Sequence, residues 1–140
     1  MDSLLNSLTG RQPALTETLI ELAQINPGTL NWAGVNQVGW LLSEMFCSRL
    51  NCHHQQRSLP GYRLIDTDGA PNEQRLGDLH ILSKRPDAPL QVLLTGHLDT
   101  VFPEDSTFQQ CQWLDKQTLQ GPGVSDMKGG LLVMLEALAA

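Results

Sequence analysis

LQVLLTGHLD, residues 90–99, is the stretch whose reading decides the fold. It is a nearly continuous apolar run that ends in a histidine and an aspartate two positions apart. Such a run is expected of a strand buried on both faces, as in a parallel sheet covered by helices. Side chains two apart on a strand point to the same side. His97 and Asp99 are therefore expected together at the C-terminal end of a buried strand, where open α/β sheets hold their ligands. A histidine that binds a metal gives one nitrogen to the ion and its other N–H to a carboxylate or carbonyl. Asp99 suits that supporting role. Taken alone, GHLDTVFP (96–103) reads equally well as a satisfied histidine followed by a turn-forming aspartate.

Upstream, GDLHILSK (77–84) and YRLIDT (62–67) alternate and are predicted strands, while DGAPNEQ and RPDAP read as turns. Residues 14–26 carry Leu15, Leu19, Leu22 and Ile25 at helical spacing, and NPG at 26–28 stops that helix. A second helix is predicted from Asn31, as N-cap, to Leu50; Gly34 and Gly39 weaken it. Downstream, FQQCQWLDKQTLQG (108–121) reads as two short strands joined near Asp115–Lys116. SDMKGGLLVMLEALAA (125–140) reads as a helix apolar around most of its circumference, hence deeply buried. The order predicts an α/β fold: a layered domain with helices packed on a mixed, largely parallel sheet. The last helix has no cap or following strand, so residues 1–140 are expected to be part of a larger domain.

The 140 residues are 41% hydrophobic and 17% charged, with a formal net charge of −6. That composition suits a globular protein. An acidic chain without a Lys/Arg cluster argues against a nucleic-acid partner. No apolar run approaches the roughly 20 residues that span a bilayer, so no membrane role is expected. MDSLLNSLTG has an acid and no base near its start, unlike a signal peptide, and a cytoplasmic location is expected. The three cysteines suggest no disulfide framework. CSRLNCHH (47–54) matches no usual zinc spacing and reads as a helix end followed by a polar loop.

The second chemical element is GPGVSDMKGG, residues 121–130. A tight turn leads into a helix, with Asp126 near its start and Gly129 and Gly130 permitting close backbone approach. An ordinary N-cap is one reading of Asp126. P-loop and dinucleotide fingerprints are both absent. A carboxylate at such a junction can instead face His97 across the top of the sheet. A histidine and a carboxylate on one ion suit zinc.

TGHLDTVFP followed by GPGVSDMKGG, with Asp126 placed 29 positions after His97, resembles the co-catalytic zinc peptidases and deacylases. That family includes aminoacylase, acetylornithine deacetylase, succinyl-diaminopimelate desuccinylase and glutamate carboxypeptidase. The resemblance extends to INPGTLNWAGVNQVGWLLSE (25–44). Gly-Pro-Gly at 121–123, where many relatives have Gly-Arg-Gly, looks closer to the glutamate carboxypeptidase branch. The resemblance implies a zinc-exopeptidase-like fold and two zinc ions, with cobalt as a substitute. His97 would ligate one metal, Asp99 would orient His97, and Asp126 would bridge both. A cis peptide would follow Asp126. The implied reaction is hydrolysis of an amide in a small peptide or N-acyl amino acid, by zinc-activated water with a glutamate base. A homodimeric full-length form is implied as well.

The chain departs from that family in one respect. The family's base and one ligand come from an adjacent Glu-Glu pair, and no Glu-Glu occurs here. Residues 1–140 are therefore expected to be the N-terminal portion of a catalytic domain and inactive alone. The competing expectation is a non-catalytic remnant or interaction module on the same scaffold.

Overall fold

The computed structural model describes Leu8 and residues 10–140. Three helices carry the core: α1 (Gln12–Ala23), α2 (Trp32–Leu50) and α3 (Gly129–Ala139). Between α2 and α3 lie six short strands: β1 (His53–Arg57), β2 (Tyr62–Ile65), β3 (Pro71–Gln74), β4 (Leu79–Ser83), β5 (Gln112–Trp113) and β6 (Leu119–Gln120). They form three antiparallel pairs, β1–β4, β2–β3 and β5–β6.

Helix α1 opens with Pro13 in its first turn, where a missing N–H costs nothing. It ends at Ala23, three residues short of the predicted end. Proline at 27 disfavours helical backbone at Asn26, and the Asn26 side chain bonds elsewhere. Helix α2 follows the sequence reading. The Asn31 side chain accepts from the Gly34 N–H at 3.1 Å. Asn51 closes the helix in the left-handed region at φ 51°. Gly39 has a packing reason: a Cβ there would meet the His80 ring at 2.4 Å.

The core is one cluster of Leu22, Val38, Leu42, Phe46, Leu50, Leu131, Leu132 and Leu135. All three helices contribute one face. Glu136, also buried, accepts from Arg11 ahead of α1 and from Arg49 of α2, the latter at 3.4 Å. A buried carboxylate needs such partners, and here they tie the three helices at one end. Among the described residues, no helix is long and apolar enough to cross a membrane.

The mixed α/β class stands, but the parallel sheet does not form among the described residues. Residues 90–99 are not a buried strand. Leu90, Val92 and Leu93 are 79%, 73% and 87% exposed. Gln91 instead caps the preceding turn, donating to the carbonyls of Arg85, Pro86 and Ala88. Among the described residues parallel pairing is confined to an isolated bridge, Gly28 with Thr100. An apolar run states what a segment can bury; a doubly buried strand also needs neighbours on both edges, and β4 offers its ladder to β1 alone.

Three further expectations change. Helix α3 buries Leu131, Leu132, Leu135 and Glu136 but leaves Val133 and Leu138 exposed, so one face is covered rather than most of it. His53–Arg57 is a strand, not a polar loop, because it pairs residue for residue with β4 from His53–Ser83 to Arg57–Leu79. Pro71–Gln74, read as turn, is the second arm of a hairpin with Tyr62–Ile65.

His80 on β4 stacks on His54 at 5.1 Å, and its Nδ1 lies 3.1 Å from the Ser43 hydroxyl. Its Nε2 is buried and has no partner among the described residues. Burial, then the charge of His54, hold its pKa below the usual histidine value. The unfolded chain therefore takes up this proton at a higher pH than the folded one. The contribution is complete above about pH 6.5 and is lost as the pH falls below that. Urea midpoints should drop on acidification through this window, and the drop should be smaller in His80→Gln. Independently, Leu135→Ala should lower unfolding free energy by about 2–5 kcal/mol in the same assay.

Candidate metal centre

The centre is assembled on a clamp between two loops. Thr100 donates its N–H to the Pro27 carbonyl at 2.9 Å, and the Thr29 N–H donates to the Thr100 carbonyl at 3.1 Å. Gly28 lies between them, and a Cβ there would meet the Phe102 carbonyl at 2.7 Å. Only glycine permits that approach. The Asn26 amide nitrogen faces the carbonyls of Phe102 and Pro103 and the Gln109 side chain, within 2.8–3.2 Å. Asn26 also accepts from the Gly28 N–H, and its carbonyl accepts from Asn31, the N-cap of α2. The loop after His97–Asp99 is thereby fastened to the start of α2.

The opposite wall is a wide turn at Val124–Lys128 that precedes α3. Gly123 enters it at φ 73°, and Asp126, which is extended, and Met127 both depart from helical backbone. The peptide between Asp126 and Met127 is cis. Helix α3 begins later than predicted, and Lys128 is its N-cap residue. Asp126 therefore does not cap the helix, and its carboxylate points elsewhere. The turn is held from below by Lys128, which is buried and donates to the Ile25 carbonyl at 3.0 Å. Burial pushes the Lys128 amine down to about 8, against a smaller opposing effect of Cys111.

His97, Asp99 and Asp126 come together between these walls. The His97 Nε2 lies 2.8 Å from the Asp126 Oδ1. The His97 Nδ1 faces the Asp99 carbonyl at 3.0 Å and its Oδ1 at 3.2 Å. The backbone N–H of His97 meets the Met127 sulfur at 3.3 Å. Partial burial lowers the His97 pKa, but hydrogen bonds to the Asp126 carboxylate and the Asp99 carbonyl, with the charges of both aspartates, outweigh it and raise the pKa above the usual value.

The donor set fits part of a metal site. Two ligands on one tetrahedral zinc, each about 2.0–2.1 Å away, lie about 3.3 Å apart. The imidazole nitrogen and carboxylate oxygen need to open by only about half an ångström to admit an ion. His97 and Asp126 could hold it, with Asp99 behind the ring. Among the described residues no three His, Cys, Asp or Glu side chains are arranged to hold one ion, so these residues alone give an incomplete set. The adjoining cleft has a volume of about 300 Å³ and is walled by His97, Asp99, Thr100, Phe102, Gly123 and Asp126. A larger, apolar cavity of about 700 Å³ lies between α2, β4 and residues 92–98. It reaches Asp99 but neither His97 nor Asp126, so the smaller cleft is the chemical one.

The clamp residues Asn26 and Thr29 were not singled out by sequence reasoning. NPGT carried a helix stop, and nothing local in it points 70 positions ahead.

Residues 93–140, about a third of the chain, match the sequence model described as Peptidase family M20/M25/M40. The match includes His97, Asp99 and Asp126 and supports that peptidase family broadly. It leaves the particular branch undecided. No curated protein matches the chain.

Replacing Asp126 by asparagine removes one of the two charges that raise the His97 pKa. In metal-free protein the His97 titration midpoint, read by NMR, should fall on Asp126→Asn, and the fold should persist because the Asp126 side chain is largely exposed.

Proposed function

We propose that this chain is the N-terminal portion of the catalytic domain of a zinc-dependent amide hydrolase, of carboxypeptidase or N-acyl-amino-acid deacylase type. One observation carries the reading. The nitrogen of His97 and the oxygen of Asp126 converge at 2.8 Å, with Asp99 behind the ring, inside the segment that matches a peptidase family. The incomplete ligand set and the exposed apolar side chains of Val92, Leu93 and Val133 are what a catalytic domain missing its remaining strands and ligands would show.

In this reading His97 and Asp126 each donate one ligand atom. Asp99 accepts from His97 Nδ1–H and fixes the ring so that Nε2 faces the ion. A bound zinc supplies polarisation of the scissile carbonyl and lowers the pKa of water. The cleft beside Thr100 and Phe102 receives the substrate, a small peptide or N-acyl amino acid. A general base, a third ligand and a homodimer interface would come from elsewhere in the parent protein, which acts in the cytoplasm.

A non-catalytic module on the same scaffold is the second reading, favoured by the incomplete ligand set.

The test is hydrolysis of N-acyl amino acids and C-terminal glutamyl dipeptides by the product of the intact gene. Activity should vanish with a chelator, return with zinc or cobalt, and fall at least about a thousandfold in His97→Ala. Residues 1–140 alone should be inactive. Chelator-insensitive activity, or a gene product without a downstream Glu-Glu, would sink the proposal and favour the non-catalytic module.

A further inference from the structure

We infer that Thr29 is a positioning residue for His97, acting through the Asp99 carboxylate. The Thr29 hydroxyl lies 2.6 Å from the Asp99 Oδ2 and 3.3 Å from the Thr100 carbonyl. It has one proton to give. The charged acceptor at the shorter distance takes it, since hydrogen bonds to an ionised group are the shorter and stronger kind. The other carboxylate oxygen of Asp99 faces His97 Nδ1 at 3.2 Å, beside the Asp99 backbone carbonyl at 3.0 Å. One carboxylate thus spans a hydroxyl on one side and an imidazole on the other.

A carboxylate held at one oxygen only can swing about its side-chain bonds. The second bond, to Thr29, removes that freedom. What makes Thr29 effective is that its own backbone is fixed. Its N–H is bonded to Thr100, the residue after Asp99, and Gly28 bridges to the same residue. The hydroxyl therefore keeps its place relative to the backbone that carries the carboxylate. Linked in sequence, Thr29, Asp99, His97 and Asp126 form one chain of polar contacts ending at the ligand atoms. Thr29 touches neither metal nor substrate. Its effect is on the direction of His97 Nε2.

The inference rests on the proposed metal site for its consequence, but not for its first readout. In metal-free protein labelled at histidine nitrogen, the His97 Nδ1–H should be protected from exchange with water. Thr29→Val, which keeps the branched shape and removes the hydroxyl, should reduce that protection to what the Asp99 backbone carbonyl, 3.0 Å from Nδ1, supplies by itself. Thr29→Ser should restore it. Thr29→Ala reads the same way if valine perturbs the loop. Titration with zinc alone is the second readout. Affinity should fall about tenfold in Thr29→Val, the lower end of what partners of a metal-binding histidine carry, and recover in Thr29→Ser. Unchanged protection in both hydroxyl-free variants, an unprotected Nδ1–H in the wild type, or a serine variant as defective as the valine one would each overturn the inference. If protection follows the hydroxyl while no variant, nor the wild type, binds zinc, the positioning role stands and the metal-site reading falls.

Discussion

The pairing of residues 27–29 with residue 100 is the contact on which the site depends. It spans more than seventy positions of sequence with two backbone hydrogen bonds and one glycine narrow enough to permit them. On one side it continues through Asn26 and Asn31 into the N-terminus of α2. On the other it sets the height of His97 and Asp99 above the turn that carries Asp126. Backbone bonds of this kind contribute about 1 kcal/mol each, so the clamp is a geometric device more than a source of stability. Stability comes from the leucine-rich cluster of the three helices.

The two walls of the site are built differently. The histidine wall is an irregular segment held by a neighbouring loop. The aspartate wall is a turn fused to a buried helix and braced by Lys128, whose amine reaches the Ile25 carbonyl just past the end of α1. Burying an amine is costly, as its lowered pKa records. What the chain gains is a rigid link between α1, the turn and α3, below the point where Asp126 faces His97. The helices thus serve the site by fixing where its turn begins.

Much of the candidate site was legible because its chemistry is carried by residue types at short spacing. His97 and Asp99 are two apart, and a tight turn before an apolar helix marks Asp126. The helices were legible where caps and periodicity agree, as at Asn31 to Leu50. What failed was non-local. LQVLLTGHLD has the composition of a doubly buried strand, yet Leu90, Val92, Leu93 and Leu94 stand exposed, because burial requires partners that no property of the ten residues supplies. His53–Arg57 is polar enough to read as loop and is a strand only because β4 lies opposite it. Asn26 and Thr29 were invisible for the same reason.

The sequence by itself determined which groups are available: an imidazole, two carboxylates, the glycines beside them and three helices. These follow from residue identity and spacing, which act over a few positions. Tertiary structure decided which groups meet. It took Asp126 away from a helix-capping role and set it against His97, and it gave Asp99 a hydroxyl partner from a loop far upstream. The physical reason is that hydrogen bonds are read out over about 3 Å in space, whereas periodicity and propensity are read out along the chain.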